Sequence, residues 1–149
     1  MRTHRRSAAA AAALALVPAA AVPALAGGAQ NKPVKRPQDG ATYTGHHPGV
    51  SLLINGKRIE LITIRFPCHK GRGTTNLNDF PMRKTDKGWR FDIAAHGLVT
   101  YLDSDKHPDE NAAIWIHGRF SRDAKTVAGR LRVDAPRCDT GRLLWSAKR

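Results

Sequence analysis

The sequence predicts an all-β protein: a single antiparallel β-sandwich, alternatively a β-barrel, of about eight to nine short strands. Three observations carry that expectation. Short runs rich in β-branched and aromatic residues recur from Thr42 onward, separated by turn residues. Asn55-Gly56 and Asp86-Lys87-Gly88 supply hairpin-turn chemistry between such runs. Several of the runs alternate apolar and polar residues with the period of two that a half-buried strand requires.

The chain opens differently. Arg2, Arg5 and Arg6 precede a small-apolar run from Ala8 to Val22 interrupted only by Pro18, and Ala24-Leu25-Ala26 supplies a small-x-small cleavage site. Residues 1–26 are therefore expected to be a cleaved signal peptide, and the protein to be secreted, extracellular or associated with the cell envelope. The run is too short and too Ala-rich to span a bilayer, and no second apolar stretch follows, so no integral membrane segment is expected after cleavage. Arg5-Arg6 fits twin-Arg export as well as an ordinary basic n-region, and leaves the route open. Residues 1–26 carry three arginines and no acid, so their removal takes 149 residues to 123 and the formal charge from +13 to +10. That length suits one compact domain with its own core. Residues 27–41 are rich in Gly, Pro, Gln and Lys and lack apolar periodicity, which predicts a flexible tail. Residues 42–149 form the expected secreted β domain.

Within it, Thr42–His46 reads as a short first strand. Val50–Phe66 reads as a hairpin turning at Asn55-Gly56, with Val50, Leu52, Ile59 and Leu61 on one face and Ser51 opposite Glu60 on the other. Gly71-Arg72-Gly73 reads as a loop glycine pair. Phe80–Lys84 and Trp89–Ala95 form a second hairpin, and Leu98–Leu102 another short strand. Ala112–Phe120 and Thr126–Asp134 form a third, with Phe120 facing Val127, Ile116 facing Leu131, Ile114 facing Val133 and Gly118 facing Gly129. Arg142–Ala147 is the final strand. Trp89 and Trp145 alternate with apolar neighbours and are expected in the core.

Cys68 and Cys138 in an exported chain most simply make one disulfide, which closes a long loop and stabilises the fold by roughly 4 kcal/mol in the chain-entropy picture. Paired C-x2-C spacings of a zinc site are missing.

Tyr43-x-Gly45, Cys68, Ile116-x-Gly118-x-Phe120, Ala128-Gly129-x-Leu131 and Cys138-x-Thr140-Gly141-x-x-x-Trp145-x-Ala147-x-Arg149 together resemble a group of small secreted proteins of actinobacterial type, built as one β domain after a signal peptide. The resemblance spans most of the domain and implies fold and export. Its motifs are structural, so it transfers no site and no activity.

The residues lean away from an enzyme. Ser51, Ser104, Ser121 and Ser146 lie in no nucleophile-elbow context. Phosphate-cradling and dinucleotide motifs are missing, and no cofactor is expected. Asp103, Asp105, Asp109 and Glu110 crowd into one loop, as a calcium site would, but the central glycine is missing and Lys106 sits among them, which suits a solvated connection. His46, His47, His69, His96, His107 and His117 are scattered, and adjacent His46 and His47 would point to opposite faces of a strand. No metal site is expected.

One constellation remains. On the outer face of the third hairpin, Trp115 stands beside Arg132, His117 beside Arg130, and Arg119 beside Ala128. A ring flanked by guanidinium and imidazole groups suits an anionic polymer or glycan, through stacking and charge together. The same pair could instead be a cross-strand cation–π contact, or Trp115 could be core. Trp115, His117, Arg130 and Arg132 are thus the candidate ligand-binding residues of a non-catalytic binding module. The alternatives are a protein-interaction or inhibitor module and, behind it, a hydrolase with an unfamiliar site. The remaining basic residues accompany no nucleic-acid motif, so only nonspecific, salt-sensitive adsorption of nucleic acid is expected.

Overall fold

The computed structural model describes residues 33–69, 71–103 and 108–149. The expected signal peptide and residues 27–32 of the expected tail lie outside the described residues. Ten strands follow in chain order: β1 (Thr42–Thr44), β2 (Gly49–Asn55), β3 (Arg58–Cys68), β4 (Gly71–Pro81), β5 (Arg83–Thr85), β6 (Gly88–Tyr101), β7 (Glu110–Phe120), β8 (Thr126–Ala135), β9 (Cys138–Asp139) and β10 (Leu143–Lys148). Eight of them close a ring in the order β1-β2-β3-β4-β6-β7-β8-β10, with β10 returning to β1, while β5 lies on β6 and β9 on β8. Of the two all-β architectures the sequence allowed, the protein is the antiparallel barrel.

An eight-stranded barrel is just wide enough for its inward side chains to fill it. The period of two delivers them: Tyr43, Leu52, Ile62, Ile64, Phe66, Phe91, Ile114, Ile116, Phe120 and Leu131 all point inward and are almost fully buried. Trp89 and Trp145 are buried as expected. The Tyr43 hydroxyl donates to the Ala124 carbonyl at 2.5 Å, tying the first strand to the β7–β8 turn. Among the described residues, Thr75 is the one polar side chain buried in the core.

Several local expectations change. In the β2–β3 hairpin the closing pair is Asn55 with Arg58, so the two turn residues are Gly56 and Lys57, and the ladder shifts between Leu53 and Ile54. The shift is a bulge: two consecutive β3 residues, Glu60 and Leu61, both face outward. Leu52 therefore faces Ile62 and Val50 faces Ile64, while Leu61 leaves the core face and is 36% exposed. Gly56, at φ +60°, meets the left-handed requirement of the turn, and its N–H donates to Asp39 Oδ1 at 2.6 Å. Gly71-Arg72-Gly73 is the start of β4, paired with β3 through Cys68↔Gly71 and Phe66↔Gly73. Trp89–Ala95 and Leu98–Tyr101 are parts of one strand, β6, and Leu102 lies just past its end.

Residues 33–41, assigned by composition to the tail, lie on the barrel. Lys35 N–H donates to the Arg122 carbonyl, Gly40 N–H to the Ile54 carbonyl, and Ile54 N–H to the Ala41 carbonyl. Val34 packs against the core. These backbone bonds do not require apolar side chains, so composition alone could not reveal them.

Cys68 and Cys138 form the disulfide, joining the end of β3 to the start of β9 across 70 residues of chain. Glu110 braces the same end of the barrel. Its carboxylate accepts from the Tyr101 hydroxyl at 2.7 Å and pairs with Arg137 Nε at 2.9 Å. Burial, then the bond to Glu110, push the Tyr101 phenol up to about 12.

Candidate functional site

The β7–β8 register is the one the sequence implies: Phe120↔Val127, Gly118↔Gly129, His117↔Arg130, Ile116↔Leu131, Trp115↔Arg132 and Ile114↔Val133. The facing glycines explain why. A Cβ at Gly118 would stand 2.4 Å from Phe91 Cζ and 3.0 Å from Trp145 Cζ2, so two core rings fill the space a side chain would take. A Cβ at Gly129 would stand 1.7 Å from the His117 carbonyl oxygen. The two strands thus meet closely under a ring pair, and the next residues outward, His117 and Arg130, are held side by side.

Neighbouring strands widen the outer face. β6 sets Ala94 beside Trp115 and Asp92 beside His117. β10 sets Leu144 beside Arg130. All four residues singled out from the sequence, Trp115, His117, Arg130 and Arg132, line one open hollow of about 630 Å³, to which Asp92, Ala94, Gly141 and Arg142 also contribute.

Within the hollow the charges are unequally committed. Trp115 is 44% exposed, which excludes the core reading. The Arg132 guanidinium lies over it, 5.8 Å from the ring centroid, as a cross-strand cation–π pair. That guanidinium is also held in place: one nitrogen lies 3.2 Å from Asp134 Oδ2 and 3.2 Å from Asp139 Oδ2. The Gly141 N–H, donating at 2.9 Å, and then Arg132 hold the Asp139 carboxyl below the usual carboxylate range. His117 Nε2 stands 3.7 Å from Asp92 Oδ1, and Arg90 stands 3.8 Å from the other oxygen of Asp92. Arg130 and Arg142 form no ion pair among the described residues.

Chemically this is a flat ring with one fixed cation over it and two uncommitted guanidinium groups nearby. Each uncommitted group can take two oxygens of a carboxylate, sulfate or phosphate. Sequence pairing found four members. Arg142 and Asp139 escaped it because β9 and the 140–142 turn fold back over β8, a contact with no local signal, whereas Asp134 stands two residues after Arg132 on the same face of β8, a period-two signal that pairing across the hairpin does not read.

The acidic loop divides its carboxylates rather than gathering them. Asp103 pairs with Arg72 at 2.8 Å and Glu110 with Arg137, while Asp105 lies outside the described residues. Among the described residues no group of three or more His, Cys, Asp or Glu side chains is placed to hold a metal ion. Comparison of the chain with protein-family models, with curated proteins and with solved structures finds no match in any of the three.

Proposed function

We propose that this is an exported, non-catalytic β domain whose outer β6–β7–β8–β10 face binds an anionic polymer or glycan of the extracellular space or cell envelope. The observation that carries the reading is the hollow itself: an exposed Trp115 with Arg132 fixed over it, beside the unpaired Arg130 and Arg142. A sugar ring or acidic repeat there stacks on the indole while its anionic groups meet the guanidinium pair. Two features agree with this placement. The barrel interior is occupied by its own side chains, which leaves recognition to the outer surface. A disulfide persists in oxidising compartments, as an exported domain requires.

The test compares retention of the folded protein on an anionic-polymer column with that of the same chain reduced, alkylated and unfolded. Both carry nearly the same charge, so an organised surface makes the folded form elute at clearly higher salt. Trp115→Ala removes the stacking ring and is expected to bring the folded form down toward the unfolded one with its melting temperature unchanged. Coincident elution of the two wild-type forms refutes the proposal and reduces the positive charge to a diffuse surface property.

A further inference from the structure

A second hollow, of about 780 Å³, opens where the barrel closes. β1 is three residues long and meets β10 through a single pair, Thr44↔Lys148. Gly45 then crosses tight against Ser146, where a Cβ would stand 2.0 Å from the Ser146 carbonyl oxygen. Beyond that crossing the chain turns away through His46, His47 and Pro48, while β10 continues back to Leu143. Among the described residues, Leu143–Trp145 pair with β8 on one side and with no strand on the other. The cleft is the space left along that seam.

Apart from Leu144, which also borders the outer face beside Arg130, its walls differ in chemistry from the polymer-binding face. Pro48, Pro67, Leu102, Leu143 and Leu144 give it a mostly apolar lining. Leu102 and Leu144 are 45% and 72% exposed, a cost that an apolar ligand against them would remove. Arg65, carried by β3, lines the cleft and has no ion pair among the described residues. His46 and His47 add further nitrogen donors. The other arginine, Arg72, is neutralised by Asp103, and no carboxylate is among the described residues that line the cleft. A mostly apolar recess that, among its described residues, carries one uncompensated guanidinium and no acid selects against cations and against purely polar anions. Its volume falls within the range of small-molecule sites.

We propose that this cleft is a second binding site, for an amphiphile with one anionic head and an aliphatic body, such as a medium-chain carboxylate. The head meets Arg65 and the chain lies along Leu143 and Leu144. The site is independent of Trp115 and stands whether or not the outer face binds a polymer.

The test titrates the purified protein calorimetrically with dodecanoate below its micelle concentration, with acetate, and with dodecyltrimethylammonium. Dodecanoate is expected to saturate at one per chain, and the other two not to saturate. Arg65→Gln and Leu144→Gln, both substitutions of exposed side chains, are each expected to weaken dodecanoate at least fivefold at unchanged melting temperature. Trp115→Ala is expected to leave it unchanged. Dodecanoate that fails to saturate, a cationic amphiphile that binds equally well, or equal affinity in the Arg65→Gln variant each overturns the proposal. Sedimentation with anionic vesicles without saturable dodecanoate binding also overturns it, and makes the seam a membrane-contact surface.

Discussion

Gly118→Ala adds one methyl group to β7 and tests whether the glycine pair is what lets the core rings approach the site. Two effects oppose each other. Replacing glycine within a strand by alanine reduces the backbone entropy lost on folding, a gain of about 0.5–1 kcal/mol. Against it, the new Cβ would stand 2.4 and 2.5 Å from two Phe91 ring carbons and 3.0 Å from Trp145. Phe91 cannot swing aside, because it is 1% exposed and wedged between Phe120 and Trp145, with ring centroids 6.2 and 6.1 Å away. Overpacking of that kind costs about 1–3 kcal/mol. The clash wins, for a net loss of about 1 kcal/mol and a melting temperature lower by roughly 4 °C. Urea and thermal unfolding followed by circular dichroism measure it. Pairing the change with Phe91→Leu, which withdraws the ring, should recover at least 0.5 kcal/mol relative to the sum of the single effects. A Gly118→Ala variant as stable as the parent, or a double variant with no coupling, refutes the account of the β7–β8 contact.

Replacing both Cys68 and Cys138 by serine releases a closure spanning 70 residues and is expected to cost about 4 kcal/mol, read as a lower urea midpoint. Acrylamide should quench one tryptophan component of the native protein, and Trp115→Phe should abolish it, since Trp89 and Trp145 are only 6% and 3% exposed. Asp139→Asn frees Arg132 from one of two carboxylates and should strengthen anionic-polymer binding about two- to fourfold, measured by titration at fixed salt. In alkaline solution the raised Tyr101 phenol keeps its proton in the folded state when the unfolded chain has lost it. Its contribution to stability is therefore complete below pH 10 and is lost as pH rises through about 12; chemical unfolding across that window should show the decline, and Tyr101→Phe should reduce it, leaving the share of the Tyr43 phenol that burial also raises.

The parts legible in the sequence are those where local pattern and long-range pairing agree. β7 and β8 alternate strictly, so the facing of Trp115 with Arg132 and of His117 with Arg130 follows from the strand period once one pair is placed. The β2–β3 hairpin carries an equally apolar pattern, yet its register escapes the Asn55-Gly56 signal. Asn55 pairs with Arg58 and the turn passes to Gly56-Lys57, which uses the left-handed freedom of Gly56 as readily as an Asn55-Gly56 turn would, while a bulge at Glu60-Leu61, which no residue type demands, restores the inward set. β4 is hidden for a different reason. Its inward positions near Cys68 are Gly73 and Thr75, so a buried face shows no apolar residues until Leu77. Barrel against sandwich depends on whether the last strand reaches the first, a property of strand tilt and stagger that no short window contains. The same holds for the seam cleft, which exists only because β1 ends early.

That early end also has a consequence in time. β2, β3 and β4 pair in succession, as do β6, β7 and β8, so most of the sheet can assemble between neighbours in the chain. β10 is the exception: it must enter between β8 and β1, and until it does both strands present open hydrogen-bonding edges. The ring has one last step, and that step joins the two ends of the domain. A β domain whose decisive contact is its most distant one folds slowly and is most exposed to mispairing just before completion. Ending the chain before Leu143 would therefore change its fate more than its contacts, leaving a nearly assembled sheet whose β1 and β8 edges stay open to other chains.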